Sequence, residues 1–200
     1  FDRERCEAGA SAWRSTERSR ASQGAAPRFT IAVAIGAPGS WVAADLFYRG
    51  AVAAALTERI EAVGGVVRVV AIYAARFGPA YNGGKAPAYG AAVHEVKAST
   101  AFASPAQLAL LAHPSTTRVV GFSSIYAVHE RAPEILGPSN RHSFFSPAVS
   151  DDQRVRYLTE AYPEERILLI PYEMRTQEES VRVLQRLGAL VIGTDDVVRL

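Results

Sequence analysis

The sequence predicts an α/β fold: a three-layer sandwich built on a central, mostly parallel sheet with one antiparallel edge strand. Three observations carry this. Phe29 to Ile35, Val66 to Tyr73 and Arg166 to Pro171 are mostly apolar runs without in–out alternation, as in strands covered on both faces. An Ala-rich helical stretch lies between the first two and closes at Gly64-Gly65, giving a βαβ unit. Asn82-Gly83 then marks a hairpin, which folds the next strand back antiparallel.

In chain order, residues 1 to 28 are rich in Arg, Ala and Ser with Trp13 as the one large anchor. They read as a flexible arm or as a segment that docks through Trp13. The α/β domain spans 29 to 200. After the first strand comes the small-residue turn Gly36-Ala37-Pro38-Gly39-Ser40. The helix beyond it carries Val52, Leu56, Ile60 and Val63 on one stripe, with Ala51, Ala54 and Ala55 allowing close approach to a sheet. Ala91 to Lys97 reads as the edge strand, Glu95 and Lys97 being charges that protect an edge from pairing with other chains.

Ser104-Pro105-Ala106-Gln107 predicts a capped helix with Leu108, Leu111 and Ala112 inward, broken at His113-Pro114. From Ser115 to His129 both helix and strand fit, and Pro114 at a first turn favours helix. Leu136 to Val149 reads as a loop. Ser150 to Gln153 is a second capping box, for a helix with Val155, Leu158 and Tyr162 inward and Pro163 past its end. Thr176 caps the last helix, with Val181, Leu184 and Leu187 inward and Gly188 as its close. A short final strand is expected at 190 to 192 or 197 to 200.

Composition narrows the function. The 200 residues suit one domain. A net charge of +2 with basic residues spread among acids argues against a nucleic-acid footprint. Only Lys85 and Lys97 among the 22 basic residues are lysine, an Arg and Ala bias that fits a GC-rich genome. Cys6 is the single cysteine, so no intrachain disulfide is expected and a cytoplasmic address is the default. No apolar run approaches the ~20 residues of a membrane span. The chain starts at Phe1 without a methionine, which suggests a processed or truncated product or an incompletely known sequence.

The strand order implied by right-handed crossovers places the first strand between the second and the strand at 166 to 171. Over residues 29 to 200 this resembles the von Willebrand factor A-type domain, a Rossmann-like architecture. The rhythm of elements is also similar to uncharacterised A-domain-like proteins of phages and mobile elements of GC-rich bacteria, which would add the virion as a location. The resemblance implies a metal-ion-dependent adhesion motif, Asp-x-Ser-x-Ser, after the first strand. Gly36 falls at its Asp, Pro38 at its first Ser and Ser40 at its second, so the motif is degenerate. Glu173 is the nearest candidate for the second carboxylate. One hydroxyl and one displaced carboxylate suit a hard divalent ion poorly, so no metal and no other cofactor is expected.

Other chemistry is thinly supported. Gly36 to Ser40 follows a strand at the point where such sheets bind phosphates, yet it is neither a dinucleotide fingerprint nor a Walker loop. Glycines do not flank Ser40 as in a hydrolase elbow. His94, His113, His129 and His142 have no metal spacing. Tyr73, Phe77, Tyr81 and Tyr89 fit hairpin packing or a protein contact better than base stacking. The expectation is therefore a non-catalytic protein-interaction or scaffold module with its surface at Ser40, Trp41, Asp45, Glu173 and Arg175. Its partner would be another protein or a second copy, within a larger assembly and away from membranes and nucleic acid. The alternative is a nucleotide- or phosphate-binding enzyme that uses the Gly36 to Ser40 turn, with Glu173 as acid or base.

Overall fold

The computed structural model describes residues 26–35, 43–77, 88–101, 103–111 and 149–192, with 113, 115 and 130 as isolated positions. Within them the elements run β1 (Arg28–Ala34), α1 (Ala43–Ala62), β2 (Val66–Phe77), β3 (Ala88–Lys97), α2 (Pro105–Leu110), α3 (Asp151–Ala161), β4 (Arg166–Ile170) and α4 (Gln177–Ile192). The four strands form one mixed sheet in the order β3-β2-β1-β4. β1 is parallel to both neighbours, with Ile31 opposite Val69 on one side and Leu168 on the other. β3 is antiparallel to β2 and occupies an edge. The α/β class, the antiparallel strand and the placement of β1 follow the sequence reading.

Alternate residues of β1 serve two clusters, because side chains alternate across a strand. Phe29, Ile31 and Val33 pack with Val52, Leu56 and Ile60 of α1, Leu108 of α2, and Val183 and Leu187 of α4. Ala32 and Ala34 face the other way, where Val70, Ile72 and Leu169 meet Leu158 of α3. Ala53, fully buried, and Ala54 give α1 the narrow surface that brings its backbone close to the sheet. Both capping boxes are present: Ser104 with Gln107 on α2, and Ser150 with Gln153 on α3. Thr176 Oγ1 likewise accepts from the Glu179 N–H at the start of α4.

Gly64 ends α1 in the left-handed region, with φ at 85°. Nothing crowds a Cβ there, so Gly64→Ala isolates the backbone term. It is expected to lower stability by about 1 kcal/mol, read as a lower urea midpoint at unchanged slope. A midpoint at or above that of the parent would refute the helix stop.

Several stripes differ from expectation. Val63 lies just beyond α1 and is 66% exposed, because the chain leaves the helical stripe before it. Val155 and Val181 are exposed as well, while Arg154 and Val183 take the inward positions. Gly188 does not close the last helix. α4 continues to Ile192, and Gly188 leaves room for the Arg59 guanidinium, whose Nη1 would lie 3.1 Å from an added Cβ. Residues 190 to 192 are thus helical rather than strand.

Lys97 is no guard of the sheet edge. It is 3% exposed, donates from Nζ to the Val67 carbonyl at 2.7 Å and pairs with Glu61 at 3.2 Å. An irregularity at Val69/Val70, beside the last residues of β3, accompanies this inward turn. Trp13, Asn82-Gly83, Ala112, most of the 115 to 129 segment, the loop before Val149 and residues 197 to 200 lie outside the described residues.

Candidate binding surface at the carboxyl end of the sheet

β1 leads to β2 on one side, and the chain later returns to add β4 on the other. The carboxyl ends of β1 and β4 therefore flank the switch point, where open α/β sheets have their crevice. Of the residues expected there, Ser40 and Trp41 lie outside the described positions. Asp45 belongs to the first turn of α1, and its side chain is likewise outside them. Glu173 and Arg175 are both exposed on the connection from β4 to α4. Met174 between them is buried in the main core and anchors that connection.

Three residues not expected from the sequence organise this end. Arg49 projects from α1 and is only 1% exposed. Its Nη1 donates to the Ala34 carbonyl at 2.9 Å, its Nε to the Met174 carbonyl at 3.3 Å and its Nη2 to the Tyr172 carbonyl. One guanidinium thus ties the end of β1 to the chain leaving β4. Arg154 of α3, 4% exposed, pairs through Nη1 with Asp151 Oδ1 at 2.6 Å. Both guanidinium groups lie over the Tyr172 ring, at 5.1 Å for Arg49 and 5.5 Å for Arg154. They reach it from helices on opposite faces of the sheet.

The electrostatics follow from that crowding. Burial is the main cause that lowers the Arg49 pKa to about 10, and the charges of Arg154 and Arg175 lower it further. At neutral pH the group remains a cation, so it offers no proton transfer there. Burial raises the Tyr172 pKa as well, although the two arginines oppose this. Glu179 accepts the backbone N–H groups of Arg175 and Thr176 at 2.8 and 2.9 Å, which holds its carboxyl below the ordinary value. The Arg175 backbone is thereby fixed at the start of α4.

A second polar network sits at the opposite end. Glu165 accepts hydrogen bonds from Thr30 Oγ1 and from Arg68, whose Nη2 is 3.1 Å from Oε1. Arg68 also pairs with Glu95 and lies 4.8 Å from the Tyr162 ring centroid. The hydrogen bonding that Arg68 donates to Glu165 is the first cause that raises its pKa, with burial opposing it. Every group in this network faces another of the same chain.

No helix among the described residues is long and apolar enough to cross a membrane. Among the same residues no group of three or more His, Cys, Asp or Glu is arranged to hold a metal ion. The profile of a family described as "Domain of unknown function (DUF7192)" matches residues 5–188. No curated protein and no solved structure matches the chain.

Proposed function

The chain belongs to the DUF7192 family, a premise that carries no activity, and we propose that it is a non-catalytic protein-interaction or scaffold module. The observation that supports this is the Arg49 guanidinium, buried across the switch point and spent on the carbonyls of Ala34, Tyr172 and Met174. A side chain of the protein stands where an open sheet of this type would admit a small substrate. What remains accessible there is the rim, with Glu173 and Arg175 on a connection pinned by Met174 and Arg49. Such a rim suits contact with a protein surface, Arg being a frequent interface anchor.

We take the fold as a three-layer sandwich similar to the von Willebrand factor A-type domain. Strand order and the helices packed on each face of the sheet support that reading. A guanidinium at the carboxyl end, in a chain with Gly36 and Pro38 at the motif positions, fits a version of that fold that works without a divalent ion. A setting in the cytoplasm rests on the single cysteine, and one in a phage particle on the sequence resemblance. An enzyme that used Glu173 as acid or base would need the crevice open, which places that reading second.

The test is a double variant, Trp41→Ala with Arg175→Ala, expressed in the native host beside the parent chain. Proteins that co-purify with the parent at constant ratio should fall at least tenfold with the variant, provided that its circular dichroism is unchanged. Co-purification at the parental ratio would remove this surface from the proposal.

A further inference from the structure

We infer that the Arg154 fork, beside Tyr172 at the carboxyl end of β4, is a binding site for a phosphate-type oxyanion. The inference is independent of the protein-interaction reading and uses a different side chain.

The first observation is an incomplete hydrogen-bond set. Arg154 is 4% exposed, yet among the described residues its guanidinium donates only through Nη1, to Asp151. Nε and Nη2 have no acceptor there. Buried donors are nearly always paired, by protein or by something bound. The Nε/Nη2 edge of a guanidinium is a planar fork that matches two oxygens of a phosphate or carboxylate.

The second observation is an excess of positive charge around that fork, where Arg49 and Arg154 are buried and Arg175 is exposed nearby. Arg49 and Arg154 share the Tyr172 ring, and the charges of Arg154 and Arg175 both work against the protonated form of Arg49. Asp151 meets Arg154 from one side, and its carboxylate is about half exposed. Glu173 is exposed on the same connection. Neither carboxylate occupies the Nε/Nη2 edge. The start of α3 adds the positive end of a helix dipole, one turn before Arg154. An oxyanion on the fork would complete the donors and offset the repulsion between the arginines.

This location differs from the phosphate site that the sequence suggested. Gly36 to Ser40 would use backbone N–H groups after β1. The Arg154 site uses a side chain of α3 beside the chain leaving β4. Its ligand is a small phosphate-bearing molecule or phosphate itself, recognised through charge and paired N–H donors.

The experiment is a calorimetric titration of the full chain with inorganic phosphate in an amine buffer, with sulfate and chloride as comparison anions. Saturable phosphate binding is expected, well above that of chloride. Arg154→Gln should abolish it, and Arg154→Lys, which keeps the charge but not the fork, should weaken it at least tenfold. Asp151→Asn should tighten it several-fold, because it removes a repelling carboxylate charge while keeping an acceptor for Nη1. Arg186→Gln, at an exposed position of α4, should leave it unchanged. No saturable heat with the parent chain, or equal affinity in Arg154→Lys and the parent, would overturn the site. If Arg154→Gln does not fold, the Lys and Asn variants still decide. Binding lost with intact co-purification of partners, or the reverse, separates this site from the proposed interaction surface.

Discussion

Arg49→Leu is expected to destabilise the chain by about 2–4 kcal/mol, one of two effects of that size that follow from buried ionic groups. Leucine leaves the carbonyls of Ala34, Tyr172 and Met174 without the donor that now serves them. Each orphaned buried group costs about 1–3 kcal/mol. Against this, the substitution relieves the cost of burying a cation. The lowering of the Arg49 pKa to about 10 by burial puts that cost at about 3 kcal/mol. The first term exceeds the second unless two of the three carbonyls find other donors. Arg49→Lys should fall between parent and leucine, since an ammonium on a shorter reach cannot span three carbonyls as a planar fork does. Urea denaturation checks both, as a lower midpoint at constant slope. A loss below about 1 kcal/mol for Arg49→Leu would mean that the chain leaving β4 is held by Met174 packing alone.

The position of Arg49 was legible in the sequence even though its role was not. It precedes Val52, Leu56 and Ile60 at spacings of three, four and four, so it sits on the apolar stripe of its helix. A charged residue on such a stripe either ends the stripe or is buried with partners. Its partners here are backbone carbonyls at 34, 172 and 174, which no side-chain pattern announces. Arg154 is a parallel case, four residues before Leu158. Val155 is the apolar neighbour, but the spacing to Leu158 puts Arg154 on the inward face instead. Val63 falls just past the end of α1, and Val181 lies one position off the inward face set by Ser180, Val183 and Leu187.

The sheet, by contrast, was readable because strands covered on both faces leave a simple mark. Continuous apolar runs, two capping boxes and a Gly-closed helix all point the same way, and agreement across levels is what specifies a fold. Lys97 shows where such marks mislead. A charge near the end of an edge strand reads as protection from aggregation, whereas this one turns inward to Glu61 and the Val67 carbonyl. The distinction depends on an acid in α1, 36 residues earlier in the chain, which strand patterning does not contain. The expected surface fared unevenly. Glu173 and Arg175 do emerge together, since a buried Met174 between them sets an out–in–out alternation.

Glu165→Ala is expected to cost about 2–4 kcal/mol, because two polar interruptions of the central strands depend on that carboxylate. Thr30 and Arg68 stand opposite each other in the β1–β2 register, each the one strongly polar residue within its apolar run. Thr30 is fully buried, so its hydroxyl would lose its acceptor inside the core. Arg68 would lose Nη2 and Nε contacts to Oε1 and a further Nε contact to Oε2. Breaking a buried pair costs about 3–5 kcal/mol. The Arg68 side chain is 21% exposed, and Glu95 remains as a second partner, which shifts the expected cost about 1 kcal/mol below that range. Glu95→Ala removes the other carboxylate, which is 40% exposed, and should cost under about 1 kcal/mol, as surface pairs do. Glu165→Gln keeps an acceptor for Thr30 and should lose about half as much as Glu165→Ala. In a double-mutant cycle with Arg68→Met, the coupling to Glu165 should reach about 1–3 kcal/mol and that to Glu95 much less. Equal costs for Glu165→Ala and Glu95→Ala in urea denaturation would show that Arg68 is held from the edge strand rather than from the start of β4.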